Sequence, residues 1–150
     1  MTDWTSEAKK RFRLQKPEHF TNFRHCDECA EHDQTLRNAD VDSIGMNELG
    51  QPGWDPLCFC SAEGRKYYMP ALIRLCNDTL YSEESYLEQF LFHLEGGGAD
   101  NELVLACSQT QREFIADFLE HLIHHHAEAI ERHQFTTDSI LRVHEIWLAG

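Results

Sequence analysis

The run His25-Cys26-Asp27-Glu28-Cys29-Ala30-Glu31-His32 places two thiols, two imidazoles and three carboxylates within eight residues. Thiolate and imidazole are the side chains that hold zinc and other borderline-soft ions, and a Cys-x-x-Cys pair brings two sulfurs close enough to share one ion. His25, Cys26, Cys29 and His32 are therefore the candidate metal ligands, and zinc the candidate cofactor. Cys58, Cys60 and His93 are further donors that could approach from other elements. The pattern falls short of a paired zinc knuckle, because Cys58-x-Cys60 has one intervening residue where a second knuckle would have two. Two other readings stay open. Free cysteine behaves as a small buried apolar residue, and a Cys-x-x-Cys pair can cycle as a dithiol. Asp27 and Glu28 between the sulfurs are expected to raise the thiol pKa values and slow dithiol chemistry. Haem attachment needs His directly after the second Cys, where this chain has Ala30.

A second cluster, His121, His124, His125 and His126, has His121 and His125 at the i, i+4 spacing of a helical metal pair, but Leu122 stands where a zinc protease would carry Glu. The expectation there is a solvated histidine-rich face. Ser61 and Ser108 read as helix caps rather than nucleophiles, since neither lies in a Gly-x-Ser-x-Gly elbow. The glycines at 96–98 precede no Gly-Lys-Ser/Thr and read as a connector.

These residues need a scaffold, and the local signals are mostly helical. Helices are predicted over Ser6–Gln15, ending before Pro17, and over Glu18–Asn38, with the Cys/His cluster inside the second. Residues 39–56, rich in Gly, Pro, Asp and Asn, read as a long loop anchored by Met46 and Trp54. Leu57-Cys58-Phe59-Cys60 and Leu103–Cys107 are short apolar runs compatible with strands. Ser61 begins a helix to about Cys76, kinked at Pro70. Ser82 begins another, with Glu83 and Glu84 in its first turn and Tyr81 and Tyr86 as a staple. Ser108 and Gln111 form a capping box for the longest helix, to about Gln134, with Ile115, Phe118, Leu119, Leu122, Ile123 and Ile130 as its core stripe. A last helix from about Thr137 buries Ile140, Leu141, Val143 and Trp147. The fold class expected is mostly α, a compact bundle of five or six helices with at most two very short strands, in a single domain over residues 1–150 with 1–17 as a loosely attached N-terminal helix.

The run Phe59-Cys60-Ser61-Ala62-Glu63-Gly64-Arg65-Lys66-Tyr67-Tyr68-Met69-Pro70-Ala71 resembles the signature of an uncharacterised family of small, mostly helical bacterial proteins, in which a Ser/Thr turn with Glu-Gly precedes Tyr-Tyr-Leu-Pro-Ala. The resemblance covers that run and, loosely, Ser108–Leu122. It implies a helical fold and a bacterial origin, and brings no activity, cofactor or catalytic residue with it.

Composition bounds the function. A chain of 150 residues with 41% hydrophobic content can bury roughly two thirds of its unfolded surface without disulfide or metal staples. Its charge is −13, unevenly distributed. Before Cys26, six basic residues face three acidic ones, a net of +3; from Cys26 onward seven face 23, a net of −16. So acidic a body repels phosphate backbones and favours a basic protein partner over nucleic acid. No run approaches the ~20 apolar residues of a membrane span, and no apolar h-region follows the basic start. The expectation is a cytoplasmic protein with free or metal-bound thiols and no membrane partner. Together these features point to a non-enzymatic binding or interaction module with a zinc site at His25-Cys26-Cys29-His32. The alternatives are a metal-dependent hydrolase using Cys and His ligands, and an acidic inhibitor or immunity-type protein that masks a basic partner.

Overall fold

A computed structural model describes residues 2–96, 101–132 and 134–150, the side chains of residues 134 and 135 excepted. The chain is 68% helical, with ten α-helices and no strand among the described residues. Mostly α holds; five or six helices does not, because the helices expected from Ser61 and from Ser108 are each divided in two, and two short helices form in segments read as a loop and as an apolar strand-like run. The chain divides into two compact units, Met1–Leu75 and Cys76–Gly150, described in turn.

In the first unit, helices run over Trp4–Arg11 (α1), Asp27–Asn38 (α2), Met46–Leu49 (α3) and Ala62–Tyr67 (α4), and a fifth (α5, Met69–Asp78) leads into the second unit. α1 begins where the Asp3 carboxylate accepts the Ser6 N–H at 3.1 Å and ends at Phe12, earlier than the expected Gln15. Residues 18–25 are not helical, although Phe20 and Phe23 have helical spacing. The buried Asp33 carboxylate accepts the Phe20 and Thr21 N–H groups at 2.6 and 3.1 Å and so fixes that segment as a loop against α2. At the far end of α2, Lys16 Nζ donates to the Arg37 and Ala39 carbonyls at 2.7 and 2.5 Å, and the Tyr68 hydroxyl donates to those of Leu36 and Ala39. Carbonyls that a helix end leaves without an intrahelical partner are thereby satisfied.

The expected long loop is largely structured, with α3 and two 3-10 turns, Pro52–Trp54 and Pro56–Phe59. Ile44 and Leu49 are its buried anchors, whereas Trp54 is 43% exposed. The apolar run at 57–60 is a 3-10 turn instead of a strand. Asp55 accepts the Leu57 N–H at 2.9 Å, and Pro56 at the first helical position fixes φ for a helical turn. This turn packs against α2. Ser61 caps α4 through the Gly64 N–H at 3.1 Å, as expected. The helix then breaks at Tyr68, and Pro70 sits in the first turn of α5, where its missing N–H costs nothing, so proline restarts a helix here rather than kinking one.

In the second unit the helices are Leu87–Glu95 (α6), Glu102–Ala106 (α7), Gln109–His125 (α8), Ala127–Glu131 (α9) and Gln134–Ala149 (α10). The expected start at Ser82 fails, because Ser82 and Ser85 bond backbone amides two residues on, at Glu84 and Leu87, and hold 82–86 in turns. Gly96, at φ +51°, ends α6 in a conformation that a side chain would strain. Gly97 and Gly98 lie outside the described residues. The run at 103–107 is helical, since Asn101 accepts the Leu103 and Val104 N–H groups, both at 3.1 Å.

α8 has the expected capping box, with Ser108 Oγ accepting the Gln111 N–H at 3.2 Å and Gln111 Oε1 accepting the Ser108 N–H at 2.9 Å. It stops at His125, well before Gln134. α10 packs on α8 and α6, burying Trp147, whose indole N–H donates to the Leu94 carbonyl at 2.9 Å. Ile140 and Val143 are buried beside it, whereas Leu141, expected in the core, is 57% exposed. No helix among the described residues is long and apolar enough to cross a membrane.

Candidate metal centre at the start of α2

Cys26 is the residue at which loop becomes helix. Its backbone is extended (φ −165°, ψ 171°), its carbonyl accepts the Ala30 N–H that opens α2, and its Sγ accepts the Cys29 N–H at 3.4 Å. Sulfur thus occupies the position usually held by Ser, Thr, Asp or Asn. Asp27 and Glu28 follow in the first turn, where the exposed amides favour negative charge. His25 belongs to the preceding turn, closed by its N–H donating to the Asn22 carbonyl at 3.0 Å.

This break has a chemical consequence. On one continuous helix the cluster could not turn all its donors to a single ion. With the helix starting at Asp27, one donor atom each from His25, Cys26 and Cys29 lies within 4.8 Å of the others. His25 Nδ1 is 3.7 Å from Cys29 Sγ. His25 and Cys26 are exposed and Cys29 half-buried, so the cluster opens to solvent.

His32, the fourth expected ligand, stands outside that group. It is fully buried, its ring stacked on Phe59 (centroids 4.6 Å, planes 13° apart) and tilted against Trp54 at 4.5 Å. Its Nε2 lies 3.6 Å from Glu28 Oε1, and neither ring nitrogen has a hydrogen-bond partner among the described residues. Cys58 and Cys60 are not in the group either. Cys60 is buried, and that burial pushes its thiol up to about 12.

The two clustered thiols differ. The Cys29 N–H, then His25, lower Cys26 to about 7. Cys29 is raised, first by its hydrogen bond with the Cys26 sulfur and then by desolvation. The expectation that both thiols would rise is therefore corrected for Cys26. A helix N-terminus acts on the sulfur that caps it more strongly than the neighbouring carboxylates do.

Three residues that the sequence did not single out hold this arrangement. Asp33 Oδ2 pairs with His19 Nδ1 at 2.8 Å, while Oδ1 takes the two loop amides. Burial alone would raise the Asp33 carboxyl, but these hydrogen bonds hold it below its ordinary value. Thr21 Oγ1 then donates to the Cys29 carbonyl at 2.6 Å, tying the loop to the second thiol's own residue. The available signal was the spacing of Cys29 and Asp33, one turn apart on the same helix.

The second histidine cluster is gathered in the other unit at the end of α8, where His121 and His126 are half-buried and His124 and His125 exposed. Burial, then the nearby His126 and His125, lower His121.

No family model matches the chain, and neither the curated proteins nor the solved structures compared with it give a significant match.

Proposed function

We propose that the chain is a non-enzymatic binding module that holds a zinc ion through His25, Cys26 and Cys29 and meets its partner with an acidic surface. The observation that carries this reading is the 3.7 Å separation of His25 Nδ1 and Cys29 Sγ beside the Cys26 sulfur. Zn–S and Zn–N bonds of about 2.3 and 2.05 Å at a tetrahedral angle put the two donors about 3.6 Å apart. The donors are thus spaced for an ion with little movement. The fourth position is open, to be filled by water or by a side chain of a partner.

All three ligands lie within five residues of one another, so the ion closes only the start of α2. Its loss loosens that turn and leaves the rest of the unit folded, unlike a structural zinc that staples distant segments. The test is cobalt substitution. Sulfur-to-cobalt charge-transfer absorption should appear in the wild-type protein and vanish in Cys26→Ser, with far-ultraviolet circular dichroism unchanged. Absence of that absorption from wild type at saturating cobalt sinks the reading.

A second reading is favoured by one observation, the exposed Cys26 sulfur capping α2 with Cys29 one turn further on. A Cys26 thiolate attacking an external disulfide forms a mixed disulfide and releases one thiolate. Cys29, on losing its proton, then displaces the second thiolate and closes a Cys26–Cys29 bond. Two protein thiols are oxidised and one disulfide reduced. Disulfide-exchange turnover that survives chelation and fails in Cys26→Ser would favour this reading over the metal.

A further inference from the structure

The end of α8 carries a second constellation that the zinc reading does not use. His121 and His125 lie one turn apart on one helix face with ring centroids 5.1 Å apart. Had the helix continued, residue 126 would point well away from residue 121, because five residues rotate a side chain by about 140° from its starting direction. The helix stops instead. His126 takes φ −133° and ψ 34°, its N–H donates to the Leu122 carbonyl at 2.9 Å, and its ring returns to 5.1 Å from that of His121.

Tyr81, contributed by the turn before α6, meets His126 Nδ1 through its hydroxyl at 2.8 Å. If Nδ1–H donates to that oxygen, the tautomer leaves the Nε2 lone pair available. This is the orientation that an outer hydrogen bond gives a metal-bound imidazole. Arg132 in turn donates to the Tyr81 carbonyl at 2.9 Å, fixing the backbone that presents the tyrosine.

We infer that His121, His125 and His126 form an imidazole-only site for a borderline divalent transition-metal ion, with Tyr81 as the positioning residue behind His126. The centroid spacings support this. Two imidazoles on one tetrahedral ion, with metal–nitrogen bonds of about 2.05 Å, have ring centroids about 5 Å apart. The nitrogens do not yet converge, since the three histidines are not among the groups whose donor atoms lie within 4.8 Å of one another. Closing the site requires the exposed His125 ring and the half-buried His121 ring to turn toward His126, which Tyr81 holds. Imidazole suits zinc, nickel and copper, and zinc is the probe used here.

The experiment uses the full chain without a polyhistidine tag, titrated with Zn²⁺ by equilibrium dialysis and with Co²⁺ by absorption. Cys26→Ser/Cys29→Ser removes the thiol ligands of the first site and leaves the inferred one. It should bind one equivalent of zinc, and its cobalt form should lack sulfur charge-transfer absorption. Adding His121→Gln/His125→Gln should abolish that binding. Tyr81→Phe, which keeps the ring and removes the hydroxyl, should weaken it by about tenfold or more. His124→Gln should leave it unchanged. Three results would overturn the inference: no zinc bound by the double-serine protein, binding that persists in His121→Gln/His125→Gln, or a loss in His124→Gln as large as in His126→Gln, which would mean adventitious surface histidines. None of these depends on zinc at His25, Cys26 and Cys29, so the two sites fail or stand separately.

Discussion

The Cys29 N–H donates to Cys26 Sγ at 3.4 Å, the largest of the contacts that lower Cys26 and so set two chemically similar thiols apart. Cys26 is exposed and lowered to about 7, while Cys29 is half-buried and raised. In metal-free protein, alkylation of Cys26 by iodoacetamide should therefore rise with a midpoint near pH 7, well below that of Cys29. Peptide mass spectrometry reads the two sites separately. A common midpoint near the ordinary thiol value of about 8.5 would show that the cap has no influence.

The same shift links to stability. A folded-state pKa below the unfolded one contributes stability that is fully present above the unfolded value and is lost as pH falls through the folded value. The wild-type protein should therefore gain on Cys26→Ala between about pH 7 and pH 9, in the metal-free state. Denaturant melts across that window check the sign, and a gain on lowering pH would contradict it.

Asp33→Ala should destabilise the Met1–Leu75 unit by about 3 kcal/mol, since it strands two loop amides and the His19 partner of a buried carboxylate. His19→Ala should cost less. Because the Asp33 carboxyl is held below its ordinary value, its contribution should persist above about pH 4 and fade at lower pH as the folded carboxyl protonates. Urea melts of wild type and both variants at neutral and acid pH measure this. Equal losses from the two substitutions would argue against Asp33 as the hub.

Gly64 sits where a Cβ would lie 2.3 Å from Cys60 Sγ and 2.8 Å from the Phe20 ring. Gly64→Ala should therefore destabilise by about 1–3 kcal/mol through overpacking, although alanine favours helix. A neutral or stabilising result in thermal denaturation would mean that Cys60 and Phe20 move aside freely.

Much of the scaffold was legible in the sequence where a local signal and apolar periodicity agreed. The Ser108–Gln111 box, the Ser61 cap and the stripe through Ile115, Phe118, Leu119 and Leu122 all appear as read. The start of α2 was hidden for a physical reason. Cysteine is a weak capping signal, and the residue that holds 18–25 out of the helix is Asp33, well along the chain. The apolar runs at 57–60 and 103–107 have no usable periodicity at that length, and Asp55 and Asn101 decide them as helical turns. For the site, the sequence supplied His25, Cys26 and Cys29. The exclusion of His32, by stacking between Trp54 and Phe59, depends on contacts that only the fold creates.

The charge distribution gives a prediction about association. With −16 from Cys26 onward, binding to a basic protein partner should weaken as salt rises, because screening shortens the range of attraction. Duplex DNA binding that survives physiological salt would contradict it.

The most direct test of the proposed zinc site is thiol protection. Zinc added to untagged protein should slow alkylation of Cys26 and Cys29, a chelator should restore it, and His25→Gln should weaken the protection without unfolding the chain. If Cys26 is alkylated at one rate with zinc, without zinc and with chelator, the claim that His25, Cys26 and Cys29 hold the ion is wrong.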